Sequence, residues 1–189
     1  PYDPEHTIAV QRLGAVQVAM ADRFASLGLD EQAEHFLALG EATLRGTLAD
    51  DQPLSYLLLA ELLIGQQEYD KAEELLLHAR EIAQEKEVRA QIEFDLASLA
   101  LENQRFADAQ GYLERVAEIA PNYPSLWATL GFIHRNQNNY PEAEVYYKRA
   151  MLEEPTDVRP YSELGSIYMT QNQFEKARDV LSQGIRYLP

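Results

Sequence analysis

The residues best suited to catalysis in this 189-residue chain are its four histidines. Histidine can act as a general acid or base near neutral pH, and it is a common metal ligand. The four are His6, His35, His78 and His134, and none has a second histidine four residues later, the spacing that puts two ligands on one helix face. The sequence therefore indicates no histidine-based metal or catalytic centre.

Paired carboxylates are the second candidates for chemistry. Glu73–Glu74 and Glu153–Glu154 could form a general acid and base pair only in an enclosed pocket that separates their pKa values. Both pairs instead fall on the polar faces of helical patterns. The chain also has no phosphate-binding glycine loop, no nucleophile elbow and no cysteine, which excludes disulfides and thiolate metal sites. We predict a non-catalytic protein without a cofactor.

The charge balance narrows the classes of partner. The chain has 31 acidic and 16 basic residues, a formal net charge of −15. Such a charge repels phosphate backbones and anionic lipid, although acidic helix faces that simply keep a protein soluble are the simpler explanation. No apolar run reaches the ~18 residues of a membrane span. We predict a protein or peptide partner, no nucleic acid and no membrane insertion, while the absence of cysteine leaves the compartment open.

Residues 124–157 contain the pattern that would organise the chain. Two amphipathic helical halves are separated by asparagines at 136, 138 and 139, and Tyr140–Pro141 opens the second half. Small residues at the crossing let two helices approach to ~8–10 Å, while large ones fill the space beside it. The positions that define the pattern are Trp127, Leu130, Gly131, Ala143, Tyr147, Ala150 and Pro155, and the same skeleton repeats through to Pro189.

These seven residues resemble the tetratricopeptide repeat (TPR) pattern, with His134 where the family usually has tyrosine. The resemblance implies an all-α solenoid of about five helix–turn–helix units, stacked in a right-handed superhelix as a single array. We expect an N-terminal helix extension over 1–13 and a degenerate repeat over 14–47. The other repeats are expected at 53–86, 90–123, 124–157 and 158–189. His134 is predicted to be a packed imidazole bonded to a neighbour.

Two local predictions concern the N-terminal half. A long helix should run from Asp3, its cap, to Gly28, with Ile8, Val16, Met20, Phe24 and Leu27 supplying its apolar face. Gln84 stands near the end of the second helix of the repeat at 53–86, where that repeat should have proline. We therefore expect the second helix of this repeat to run past Gln84. The three extra residues near 87–89 should shift how the next repeat stacks on it.

The two ends of the sequence are also informative. The chain begins at Pro1 without methionine, and we expect it to be a fragment of a longer protein. It ends at the last position of a repeat without the polar capping element that closes most solenoids. Either the natural protein continues or this end self-associates, because apolar residues would otherwise be uncovered, namely Val180, Leu181, Ile185 and Leu188.

By the resemblance, the first helix of each unit lines a concave groove. The partner-binding residues would then be Leu54, Leu57, Glu61, Ile64, Phe94, Leu101, Phe132, Arg135 and Arg159. An apolar groove suits an amphipathic helix or an extended peptide with spaced anchors, and the arginines would orient an acidic part of the ligand. No lysine occupies these positions, which disfavours the TPR clamp for acidic chaperone tails. The apolar residues could also simply pack among themselves.

The function that we predict is a protein–protein interaction scaffold that binds a partner segment in this groove. Two alternatives stay open on the sequence alone. The chain could be a targeting or regulatory segment of a larger enzyme, or a self-assembling structural array.

Overall fold

The computed structural model describes residues 3–187, which form ten α-helices and one short 3₁₀ helix, with no β-strand in that range. The 3₁₀ helix covers Thr47–Asp50. The α-helices are α1 (Pro4–Ser26), α2 (Asp30–Gly46), α3 (Pro53–Gly65), α4 (Tyr69–Ile82), α5 (Lys86–Glu102), α6 (Phe106–Ile119), α7 (Leu126–Asn136), α8 (Tyr140–Glu153), α9 (Arg159–Thr170) and α10 (Phe174–Ile185). The all-α prediction is confirmed.

The same turn recurs between the two helices of successive hairpins. Gln104, Asn138 and Asn172 follow at intervals of 34 residues and have φ of 56°, 58° and 58°, and Gln67 has φ 63° at the equivalent place. The next residue then donates its N–H to a carbonyl five positions back, as in Asn139 N to His134 O at 2.8 Å. This is the Schellman arrangement that ends a helix, and asparagine tolerates its left-handed position.

The chain divides into two compact units, residues 1–99 and 100–189, and the division falls within α5. In unit 1, α1 packs against α2, and α3 packs against α4. The predicted start of α1 is confirmed, since the Asp3 side chain accepts hydrogen bonds from the N–H groups of Glu5 and His6. After α1 ends, Gly28 has φ 71°, which favours glycine.

The predicted apolar face of α1 is wrong. Four of its five residues, Ile8, Val16, Met20 and Leu27, are exposed, and only Phe24 is half-buried. The buried face instead carries small and polar residues, which are Thr7, Gln11, Gly14, Gln17 and Ala21. Hydrogen bonds make this burial possible.

One of those hydrogen bonds joins α1 to α3, and a second continues from α3 to the 3₁₀ helix. Gln11 Nε2 donates to Ser55 Oγ at 2.9 Å, and Ser55 Oγ in turn donates to Thr47 O at 3.2 Å. Glycines allow the close approach of α1 to α2, because a Cβ on Gly14 would lie 2.7 Å from a methyl carbon of Leu44. The inward face of α1 is therefore selected by fit and polar pairing rather than by hydrophobicity.

The predicted extension of α4 past Gln84 is also wrong. The helix ends at Ile82, and Ala83 is extended, with φ −67° and ψ 126°, although its N–H still bonds to Ala79 O. Ala83 is buried, so packing holds the chain in this turn without a proline. The residues expected to disturb the stacking, 87–89, lie within the first turns of α5.

In unit 2, α7 packs against α8 and α9 against α10, while α8 also contacts α9. A core of buried side chains from α8, α9 and α10 holds these helices together, comprising Ala143, Tyr147, Tyr161, Leu164, Ile167, Tyr168, Ala177 and Val180. Gly131 and Ala143 are both buried, as predicted. His134 is buried too, with Nδ1 3.3 Å from Asn139 Nδ2, so its predicted role as a packed imidazole is confirmed.

The expected uncovered residues at the C-terminal end divide into two groups. Leu181 and Ile185 are exposed, in agreement with the prediction. Val180 is buried, because it lies on the side of α10 that faces the unit 2 core. Leu188 and Pro189 lie outside the described residues.

Candidate partner-binding clefts

The predicted partner-binding residues of α3 are only partly accessible. Leu57 is 4% exposed and belongs to the core, so the prediction that it forms part of a binding surface is wrong. Leu54 and Glu61 are exposed and Ile64 is half-buried. The accessible positions continue through the half-buried Leu58, which follows Leu54 by one helical turn.

Leu58 and Glu61 line a cleft in unit 1 of about 390 Å³, here called the unit 1 cleft. Its walls come from α1, α2 and α3, together with the residue after α3. The lining residues are Ala15, Val18, Asp22, Leu37, Leu44, Leu58, Glu61, Leu62, Gly65 and Gln66. The lining is mainly apolar with two carboxylates, Asp22 and Glu61, both on exposed residues. The cleft can accept an apolar side chain and place a positive charge beside it.

A second carboxyl group, on Asp95, interacts electrostatically with Glu61. The pKa of Asp95, on α5, is raised to about 7, first by burial and then by the Glu61 charge, while a hydrogen bond from Gln91 opposes the shift. Partial desolvation also raises the pKa of Glu61. Asp95 Oδ2 is buried and has no hydrogen-bond partner among the described residues. Above about pH 7, where Asp95 ionises, the two carboxylates repel each other in a partly desolvated place, and a cation would relieve the repulsion.

Unit 2 has its own cleft of about 240 Å³ between α7 and α9, here called the unit 2 cleft. The lining residues are Ala128, Thr129, Phe132, Tyr147, Arg159, Pro160, Ser162 and Glu163. Phe132 and Arg159, both predicted as partner-binding residues, are exposed and are brought together here. Phe132 can therefore contact an incoming apolar side chain.

Tyr147 is the residue of the unit 2 cleft whose binding potential the sequence did not reveal. Its ring packs in the core of unit 2, with the residue 1% exposed. Its buried hydroxyl, however, has no hydrogen-bond partner among the described residues. Burial, followed by the charge of Glu163, raises the pKa of this hydroxyl, so it stays protonated and can donate. The feature of the sequence that could have indicated this role is the hydroxyl that a tyrosine places at an otherwise apolar core position.

The two predicted arginines already have partners within unit 2. Arg135 Nε lies 3.1 Å from Glu163 Oε2. Arg159 Nη2 donates to Asp157 Oδ2 and to Ser125 Oγ, both at 2.8 Å. An acidic ligand would have to compete with these carboxylates. The arginines therefore supply less free positive charge than the sequence suggested.

Phe94 and Leu101, the two predicted residues of α5, are both half-buried. Phe94 belongs to unit 1 and Leu101 to unit 2. Neither lines the unit 1 cleft or the unit 2 cleft. Their participation in binding stays a prediction.

Neither a metal centre nor a membrane span is visible in the part of the chain that the structure describes. Over residues 3–187, histidine and the acidic residues form no group of three or more arranged to hold a metal ion. None of the helices in the same range is long and apolar enough to cross a bilayer.

These features define a protein built from repeated helical hairpins. They are the recurrent turn, the glycine contacts between paired helices, and the unit 1 and unit 2 clefts. Residues 100–145 and 135–189 match the family model described as "Tetratricopeptide repeat". Solved TPR structures also cover most of this chain. Residues 100–189 therefore belong to the TPR family.

Three comparisons illustrate the likeness. A structure of MamA has a TM-score of 0.70 at 16% identity, covering 88% of this chain and 93% of that one. A structure titled "YrrB: a TPR protein with an unusual peptide-binding site" has a TM-score of 0.65 at 17% identity, covering 92% and 85%. PilF from Pseudomonas aeruginosa has a TM-score of 0.67 at 17% identity, covering 91% and 90%. At these identities the likeness is one of fold.

One curated relative matches part of the sequence. The "Uncharacterized protein ycf37" of Guillardia theta is 33% identical over 63 residues, which is 33% of this chain. The match spans about a third of that relative, 35% of its length.

Proposed function

We propose that this TPR scaffold binds segments of a partner protein through the unit 1 cleft and the unit 2 cleft, without a catalytic role. The observation that carries the proposal is in the unit 2 cleft, which is lined by the exposed Phe132 and by Tyr147, whose buried hydroxyl has no hydrogen-bond partner within residues 3–187. Leaving apolar surface in water costs roughly 25 cal/mol per Å², and leaving a buried polar group unpaired costs about 1–3 kcal/mol. A bound peptide would reduce both costs.

Each cleft favours a particular feature of the ligand. In the unit 2 cleft, Phe132 suits an apolar side chain. The Tyr147 hydroxyl is buried below the cleft and would reach a carbonyl oxygen of the ligand only after a local opening of the cleft. In the unit 1 cleft, Leu58 suits an apolar anchor, and Glu61 suits a lysine or arginine nearby. YrrB, a TPR protein with a peptide-binding site, is a precedent that supports this use of a TPR surface.

The experiment begins with a random peptide library panned on the immobilised 189-residue chain. Enriched peptides are then titrated by calorimetry against variants of each cleft. Phe132→Ser and Tyr147→Phe test the unit 2 cleft, and Leu58→Ser and Glu61→Gln test the unit 1 cleft. Val145→Ser is the control, because Val145 is 65% exposed on α8 and lines neither cleft.

We expect a variant of the cleft that a peptide occupies to weaken its binding at least about tenfold, a loss of about 1.4 kcal/mol. Val145→Ser should bind as the unchanged chain does. A peptide that binds all four cleft variants with unchanged affinity would exclude both clefts. The outer helix surfaces would then be the place to search.

Self-association through the C-terminal repeat is a second candidate function. The observation that favours it is the exposure of Phe174, Leu181 and Ile185 on α10. Contiguous exposed apolar side chains of this kind mark interaction surfaces.

A further inference from the structure

The exposed apolar residues of α10 form one stripe, here called the α10 stripe. Phe174, Leu181 and Ile185 are separated by seven and four residues, so they lie along one side of the helix. The adjacent side carries Ala177, Val180 and Gly184, which are buried. The helix therefore has two apolar sides in unit 2, of which only one is fully covered.

The preceding hairpin of unit 2 indicates what kind of element covers such a stripe. The residues 34 positions before the α10 stripe are Tyr140, Tyr147 and Met151 on α8. Tyr147 is fully buried, and the other two are partly buried against the same core. They share one core with Tyr161, Leu164 and Tyr168 on α9, which is in contact with α8, and Tyr161 also lies against Gly184 on α10. A helix with apolar residues at i, i+3 and i+7 therefore covers this kind of stripe.

Unit 1 presents a helix with that spacing whose apolar side chains are exposed. Leu13, Val16 and Met20, here called the α1 stripe, occupy i, i+3 and i+7 on α1, and all three are exposed. The opposite side of α1 is already occupied by its contacts with α2 and α3. The α1 stripe thus repeats the spacing of Tyr161, Leu164 and Tyr168 on α9.

We infer that the α1 stripe of one copy packs against the α10 stripe of a second copy, in a head-to-tail contact that repeats the α8–α9 interface. The inference rests on the self-association candidate above and is independent of peptide binding in the clefts. Since the two surfaces differ, each copy keeps one of them available after pairing. Each copy also carries a net charge of −15, so added salt should strengthen the contact by screening the repulsion.

A complementation experiment tests the head-to-tail contact on the 189-residue chain. Val16→Glu disables the α1 stripe and Ile185→Glu disables the α10 stripe. These side chains are 55% and 64% exposed, so neither change buries a charge in the folded monomer. Val145→Glu is the matched control, since Val145 is 65% exposed on α8 and belongs to neither stripe.

Sedimentation velocity over a concentration series provides the readout, with circular dichroism to verify that each variant is folded. The unchanged chain and Val145→Glu should form larger species as concentration rises. Each stripe variant alone should stay monomeric at those concentrations. An equimolar mixture of the two should form a one-to-one dimer and nothing larger, because each contributes one intact stripe.

Three results would overturn the inference. One is an unchanged chain that stays monomeric at every concentration and salt level. Another is a Val16→Glu variant that still dimerises, which would indicate a symmetric α10 contact. The third is a mixture of the two variants that stays monomeric while the unchanged chain assembles. None of these results depends on peptide affinity, which is measured separately at concentrations where the chain is monomeric.

Discussion

Gly131 on α7 lies directly against the ring of Tyr147 on α8. A Cβ added at Gly131 would be 2.8 Å from both Cδ1 and Cε1 of that ring, closer than carbon atoms normally approach. The Tyr147 side chain is fully buried, so the ring has little room to move away. The residue at 131 therefore sets how closely α7 and α8 approach.

Replacing Gly131 should destabilise unit 2 despite the better helix propensity of the new residue. We expect Gly131→Ala to cost ~1–3 kcal/mol through overpacking, measured by chemical denaturation, and Gly131→Leu to cost at least as much. Gly46→Ala is the control, because a Cβ at Gly46 meets nothing within 4 Å. It should be neutral or stabilise by up to ~1 kcal/mol. Equal effects at the two glycines would contradict the assigned contact.

The hydroxyls of two buried tyrosines in unit 2 should behave in opposite ways. Tyr168 donates to Glu144 Oε1 at 2.8 Å, whereas the Tyr147 hydroxyl has no partner among the described residues. Tyr168→Phe should therefore cost about 1 kcal/mol. Tyr147→Phe should be neutral or stabilise by about 1 kcal/mol, because it removes an unsatisfied buried group. Thermal denaturation of both variants measures the difference, and a destabilised Tyr147→Phe would indicate a hidden partner for that hydroxyl.

Asp95 should make the stability of the chain depend on pH. Its pKa is about 7 in the folded chain, against 3.8 for a free side chain. Between these values the unfolded chain releases this proton and the folded chain retains it. The contribution to stability is thus complete below about pH 4 and is lost as the pH rises through about 7.

Asp95→Asn should therefore stabilise the chain at pH 8 and leave it almost unchanged at pH 4. A shift of one pKa unit corresponds to about 1.4 kcal/mol, and partial exposure reduces the effect, so we expect about 1–2 kcal/mol at pH 8. Denaturant titrations at both pH values measure it. Glu74→Gln, at an exposed carboxylate of α4, is the control and should change neither value by more than about 0.5 kcal/mol. A benefit at pH 4 that equals the one at pH 8 would exclude ionisation as the cause.

The helix boundaries that carry local signals could be predicted from the sequence. Asp3 caps α1, and Tyr140–Pro141 opens α8, because capping side chains and proline act within one turn of the chain. The end of α4 could not be predicted in this way. It depends on the burial of Ala83, a tertiary contact that no adjacent residue signals.

The faces of two helices show why burial was harder to predict than helix position. On α1 the inward positions include Gln11, whose amide is satisfied by Ser55 on a different helix, so hydrophobicity pointed to the wrong side. On α3 apolar residues occur all around the helix, and periodicity could not distinguish Leu57 from Leu58 as the accessible position. In both helices, the buried face is determined by contacts with residues that are distant in the sequence.

The left-handed residues at Asn138 and Asn172 have a consequence for how unit 2 could change in length. Both sit at the same point of identical turns, and Asn139 and Gln173, which follow them, make the same backbone hydrogen bond at 2.8 Å. Excising residues 139–172 would join Asn138 to Gln173 and rebuild that turn without an altered peptide geometry. The gene could therefore lose or duplicate one hairpin in a single recombination step, with Gly131 then resting on Leu181 in place of Tyr147.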